Sequence, residues 1–218
     1  MSYTRYRHLA IEDAKSPPSE AQLRAIEEEL DAKLPLSFKE YLDVANGGHL
    51  EYCIDIPTGH EETEPISFSG LFSADIGTFC DETFIGEIRS GREYTKIPKG
   101  VLPFARDGGG SIVYLDLSSE GNGRVVAFVM GLPEWASKRT ESVFIEVASS
   151  FDEYVDKLRI DLDVVTDRLE CDVTELSDIT AIEELLDIGM PGWRDDSQVV
   201  TLIQAARERL MGGTTACE

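Results

Sequence analysis

Two short runs of β-forming residues constrain this chain more than any other feature. They are Ile112-Val113-Tyr114-Leu115-Asp116-Leu117 and Val125-Val126-Ala127-Phe128-Val129-Met130, separated by the Gly- and Asn-containing turn at 118–123. Two such runs joined by a short Gly-bearing loop make a β-hairpin. Each run is apolar at successive positions, so both of its faces must be covered, which places the pair in the middle of a sheet packed against helices. Residues 101–105 and 143–147 read as further strands, and Asp107-Gly108-Gly109-Gly110 as a turn. Residues 52–56 suggest another strand, as do 65–72 with a bend at Gly70.

Helices supply the cover. Pro17-Pro18 stops whatever precedes it, and Ser19-Glu20-Ala21-Gln22 reads as a capping box, in which a hydroxyl and an amide side chain satisfy each other's backbone N–H groups. Leu23, Ile26 and Leu30 then share one helix face, with Arg24, Glu27, Glu28 and Glu29 on the wet side. A second helix starts at Ser37, carries Phe38, Tyr41, Leu42 and Ala45, and stops at Asn46-Gly47-Gly48. Phe84, Ile85 and Ile88 suggest a short helix between Asp81 and Arg89. Ser150-Phe151-Asp152-Glu153 opens another, with Tyr154, Val155 and Leu158 on its stripe.

Past residue 160 the composition changes. Residues 161–196 hold twelve acidic side chains and two basic ones, Arg168 and Arg194, a local net charge of −10. Ile179, Ile182, Leu185 and Leu186 form one amphipathic helix there, capped by Ser177 or Asp178 and closed by Gly189. Val199, Leu202, Ile203, Ala206 and Leu210 form a last one. A helix pair of this size cannot bury its own apolar faces. The expected organisation is therefore an α+β domain over 1–160, with a central, mostly antiparallel sheet covered by helices, and an acidic helical extension over 161–218 docked on it.

Charge narrows the function. Forty-two acidic against twenty basic residues give a net of −22, which repels nucleic-acid phosphates and anionic membranes and attracts basic partners. No apolar run approaches the ~20 residues of a membrane helix, and the first residues lack the apolar block of a signal peptide. A cytoplasmic protein is expected. Cys53, Cys80, Cys171 and Cys217 stand far apart, as free thiols do in a reducing compartment. The three histidines have no ligand spacing, the triple glycine precedes a strand rather than a helix N-terminus, and no nucleophile-elbow or zinc-protease motif occurs. No catalytic residue, metal site or cofactor is expected, so the reading is of a non-enzyme.

The order of features resembles a known family. Pro-Pro-Ser at a helix start leads to Leu34-Pro35. Phe38-Lys39-Glu40-Tyr41-Leu42 runs into Asn46-Gly47-Gly48. Then follow Ile97-Pro98-Lys99-Gly100-Val101-Leu102-Pro103-Phe104, the Gly turn, Ile112-Val113-Tyr114-Leu115-Asp116-Leu117, and Ser150-Phe151-Asp152-Glu153-Tyr154. Over residues 16–158 this is similar to the SUKH superfamily of cell-wall assembly regulator type. The resemblance implies an α+β fold and no shared catalytic set. Many bacterial members are immunity proteins that bind and neutralise a cognate polymorphic toxin domain, whereas others are regulatory interaction modules.

The expected partner is thus a basic toxin domain, nuclease-like in its need for a cationic surface, bound stoichiometrically by a monomer. A regulatory scaffold with an endogenous partner is the alternative reading. A small-ligand binder or enzyme using a cleft between sheet and helices stands third. Candidate partner-binding residues are Glu61, Glu62, Glu64, Asp75, Asp81 and Glu82, set among the aromatics Phe79 and Phe84, which read as exposed. Asp107 joins them beside the triple glycine, where it could equally cap its own turn. Trp135 and Trp193 read as packing residues, with Trp193 also a candidate anchor because it stands alone in a polar loop. The acidic stretch 161–196 is the rival patch.

Overall fold

A computed structural model describes residues 3–57, 63–75, 82–135 and 140–212. The chain opens on a hairpin of β1 (Thr4–Tyr6) and β2 (Leu9–Glu12). Helices α1 (Glu20–Leu30) and α2 (Leu36–Leu42) follow. Then come β3 (Gly48–Leu50), β4 (Tyr52–Pro57), β5 (Thr63–Ser67) and β6 (Gly70–Leu71). Helix α3 (Phe84–Tyr94) precedes β7 (Val101–Arg106), β8 (Ile112–Asp116), β9 (Arg124–Val129) and β10 (Val143–Ala148). The C-terminal part holds α4 (Phe151–Lys157), β11 (Arg159–Ile160), α5 (Leu162–Asp167), a π-helical turn at Arg168–Asp172, α6 (Leu176–Gly189) and α7 (Ser197–Gly212).

Among the described residues, eight strands form one sheet in the order β1-β2-β3-β6-β7-β8-β9-β10, and three form a second, β11-β4-β5. The strand pairings within both sheets are antiparallel. This is the expected α+β fold with helices at its C-terminal end. The run 65–72 divides at its bend: β5 pairs with β4 and β6 with β3 and β7, so one apparent strand serves two sheets. β1 and β2 are short, with Arg5 inside the first, and carry too little alternation to be read from sequence.

Local chemistry explains the elements. Ser19 accepts from the Gln22 N–H while the Gln22 side chain accepts from the Ser19 N–H, so the capping box is complete. On α1, Ile26 and Leu30 are fully buried, and Glu27, which lies on the face assigned to water, is buried too. It is tolerated there because its carboxylate takes Lys33 at 2.6 Å, Lys39 at 2.7 Å and the Leu34 N–H at 3.2 Å. Gly48 has φ +111°, and a Cβ there would lie 2.5 Å from the Glu12 carbonyl oxygen, so β3 can sit against β2 only with glycine at this position.

The core centres on Phe38 of α2. Its ring lies 4.9 Å from Phe151 on α4 and 5.9 Å from Phe104 on β7, in the edge-to-face arrangement aromatic quadrupoles favour. Phe84, expected as an exposed aromatic, also packs on Phe38 and is 1% exposed. It opens α3, and Thr83 caps that helix by accepting from the Gly86 N–H.

The same apolar core continues into residues 161–212 through Val165, Leu169, Ile182, Leu186 and Ile203. Arg168 reaches between Glu12 and Glu51, tying the π-helical turn after α5 to β2 and the β3–β4 junction. Gly189, expected just past a helix end, is the last residue of α6 and serves close packing instead: a Cβ there would stand 2.3 Å from the Tyr52 hydroxyl. That hydroxyl donates to the His8 carbonyl and accepts from the Ala10 N–H, so one tyrosine joins β4, the first hairpin and α6. Glu175 caps α6, and Asp178 accepts from the Thr174 and Glu175 N–H groups.

Candidate partner-binding surface

The β8–β9–β10 register sorts side chains onto two faces. Val113, Leu115, Val125 and Ala127 are fully buried against the helices that carry Phe38 and Phe151. On the other face Tyr114 stands opposite Val126, Phe128 opposite Phe144, and Val126 opposite Glu146. Helices were expected over both faces, and only the first has full cover. On the second, Tyr114 is buried, Val126 and Phe128 are half-buried, and Phe144 is 71% exposed.

The open face forms a trough of about 500 Å³ with Tyr114, Val126, Phe128 and Phe144 on its floor and far side. Ile97 and Pro98, following α3, form the near wall. The Phe128 and Phe144 rings lie 5.0 Å apart, and Tyr114 lies 6.4 Å from Phe144. Burial, with the Glu87 charge adding to it, pushes the Tyr114 hydroxyl up to about 12, so it stays neutral at physiological pH. One end of the trough is polar. There Asp116 accepts from Arg124 at 3.0 Å and from the Ser118 hydroxyl at 2.6 Å. Burial raises the Asp116 carboxyl, but Ser118 and Arg124 outweigh it and hold the group below its ordinary range. Glu146 lies 3.6 Å from the same guanidinium.

The hairpin that walls the trough is apolar beyond it. Met130, Leu132, Trp135 and Phe144 are all exposed, Trp135 at 87%. Trp135 is therefore not the packing residue expected from sequence: it lies beyond the end of β9, past the last position the core can reach. Met130 and Leu132 border a second hollow of about 240 Å³ that also takes in Glu64 and Asp107.

The sequence-derived candidates distribute as follows. Glu64 sits half-buried on β5, and the fold brings it to one hollow with Asp107. The Asp107 carboxylate accepts from the Gly109 N–H at 2.8 Å and the Ser111 N–H at 2.7 Å, capping its own turn. Asp75 pairs with Lys15 at 2.7 Å, and Glu82 pairs with Arg106, so these two carboxylates face their own cations. Glu61, Glu62, Phe79 and Asp81 lie outside the described residues. Trp193 is 3% exposed, donates its indole N–H to Asp187 at 2.7 Å and carries the Arg194 guanidinium 4.3 Å above its ring. In the rival stretch both arginines are held internally, Arg168 by Glu12 and Glu51 and Arg194 by Asp187. Exposed carboxylates such as Asp163, Asp167, Glu170 and Glu184 leave that surface strongly negative.

The trough residues Phe144, Phe128 and Val126 are the ones sequence reasoning missed. A signal was present: Phe144 and Glu146 are two apart and so share a face, and a charged residue on that face marks it as wet.

Among the described residues no group of three or more histidine, cysteine or carboxylate side chains is placed to hold a metal ion. Burial pushes the Cys53 thiol up to about 11, leaving it protonated and a poor nucleophile. No helix among the described residues is long and apolar enough to cross a membrane.

A family model described as SMI1 / KNR4 family (SUKH-1) matches residues 17–157, from just before α1 to the end of α4. The chain belongs to the SUKH-1 family. Comparison with curated proteins gives no match. The SUKH-1 match takes in the whole trough and both its walls. The first hairpin and everything from β11 onward lie outside the matched residues.

Proposed function

We propose that this SUKH-1 chain is an immunity-type protein that neutralises a basic toxin domain by stoichiometric binding and performs no turnover of its own. The observation that carries the reading is an apolar trough and hairpin left open on a chain of net charge −22. An exposed apolar patch with aromatic residues at its centre suits a protein partner, and the charge selects a cationic one. Toxins that attack nucleic acid present such a surface. Membership of the SUKH-1 family is compatible with this role.

The test is a growth rescue. The protein encoded beside this gene is expressed as a toxin candidate, with and without this chain, and the two are co-purified. Rescue with a one-to-one complex is the expected result. Rescue without any complex, or a complex without rescue, contradicts neutralisation by binding.

A further inference from the structure

We propose that residues 143–146 of β10 form a docking edge to which the partner adds one extended segment. Its inward side chains are apolar and enter the trough, while its flanking side chains are basic. This rests on the partner-binding reading above and specifies how the partner engages.

β10 ends the eight-stranded sheet, and among the described residues no strand pairs with its outer side. Such an edge presents a row of backbone donors and acceptors ready for another chain. Proteins usually blunt edges with lysine, proline or a bulge. Among the described residues that protection is confined to one end. The register shifts between Glu146 and Ala148, and the Val147 carbonyl accepts from Lys157 Nζ at 2.9 Å. Residues 143–146 are Val, Phe, Ile and Glu, with no bulge among them.

The occupant follows from what borders this edge. On the trough side Phe144 stacks against Phe128, so a strand laid beside β10 places alternate side chains on an aromatic floor. Glu146 at the end of the open stretch is exposed and only loosely engaged, 3.6 Å from Arg124, so a basic side chain of the partner would share its carboxylate. A second copy of this chain would bring −22 against −22, whereas a cationic segment is drawn in by the same field.

Hydrogen exchange read by NMR tests this. Two end-blocked seven-residue peptides are compared. The first has lysine at odd positions and valine, phenylalanine and valine at even ones. The second has the same composition with its four lysines placed first. In the unliganded chain the β10 amides that face β9 should exchange slowly and the alternate, outward ones quickly. The alternating peptide should slow the outward amides of 143–146, and Phe144→Ala should weaken it roughly fivefold, the size of a lost cross-strand aromatic pair. Equal slowing by both peptides would mean attraction by charge alone and overturn the proposal, as would no slowing by the alternating one. In the toxin complex, rescue with unchanged β10 amides would leave partner binding standing and remove the edge as its route.

Discussion

Glu27 shows how one side chain carries both a local rule and its exception. Burial pushes its carboxyl up, but the ion pairs with Lys33 and Lys39 and the Leu34 N–H outweigh burial and hold it at about 2. An unfolded glutamate titrates near 4.3. The folded value is the lower one, so the stabilisation is fully present above about 4.3 and is lost as pH falls toward about 2. Urea unfolding between pH 6 and pH 2 should show this loss in the parent chain, and Glu27→Gln should flatten it. Glu27→Ala, which strands the Leu34 N–H, should cost about 1–3 kcal/mol at neutral pH. Phe104→Ala and Leu115→Ala remove side chains that are 4% and 0% exposed and should each cost about 2–5 kcal/mol. Phe144→Ala should cost no more than about 1 kcal/mol, the size of its cross-strand aromatic pair with Phe128. A large loss at Phe144, or none at Leu115, would mean the two sheet faces are assigned the wrong way round.

At the scale of elements, the caps and the hairpin were legible because their signals are local. Ser19 with Gln22 forms a complete box, and the Gly-containing turns form as read; at Ser150 only half the box forms, since its hydroxyl accepts from the Glu153 N–H while the Glu153 carboxylate takes the Ser149 N–H instead. The open face was not legible, because Val126 and Phe128 are apolar whether a helix or a partner covers them. Which it is depends on where α2 and α4 pack, and that is a long-range matter. Glu27 was misplaced for the same reason: periodicity assigns it to water, and only the tertiary arrival of Lys39 and Leu34 makes its burial tolerable. Of the proposed site, the acids were readable as acids, but not that Asp75, Glu82 and Arg168 meet partners distant in sequence. The packing of α6 yields its own test. Gly189→Ala would drive a methyl group into the Tyr52 hydroxyl and Ile160. Overpacking of this kind should cost about 1–3 kcal/mol, read as a lowered urea midpoint. An unchanged midpoint would mean α6 does not sit on β4 as described.

At the scale of the molecule, one fold presents two surfaces of different character. The SUKH-1 region supplies an apolar trough beside a strand edge with no partner among the described residues, and the helices after residue 160 add a strongly negative exterior. Together they suit capture in two stages: the field accelerates encounter, and the aromatic trough slows departure. The separation is measurable by stopped-flow association and dissociation of the complex with the proposed basic toxin domain, across ionic strengths from about 0.02 to 0.5 M. The association rate constant should fall steeply with added salt while the dissociation rate constant changes little, and Phe144→Ala should raise dissociation alone. An association rate indifferent to salt would contradict the account at its centre.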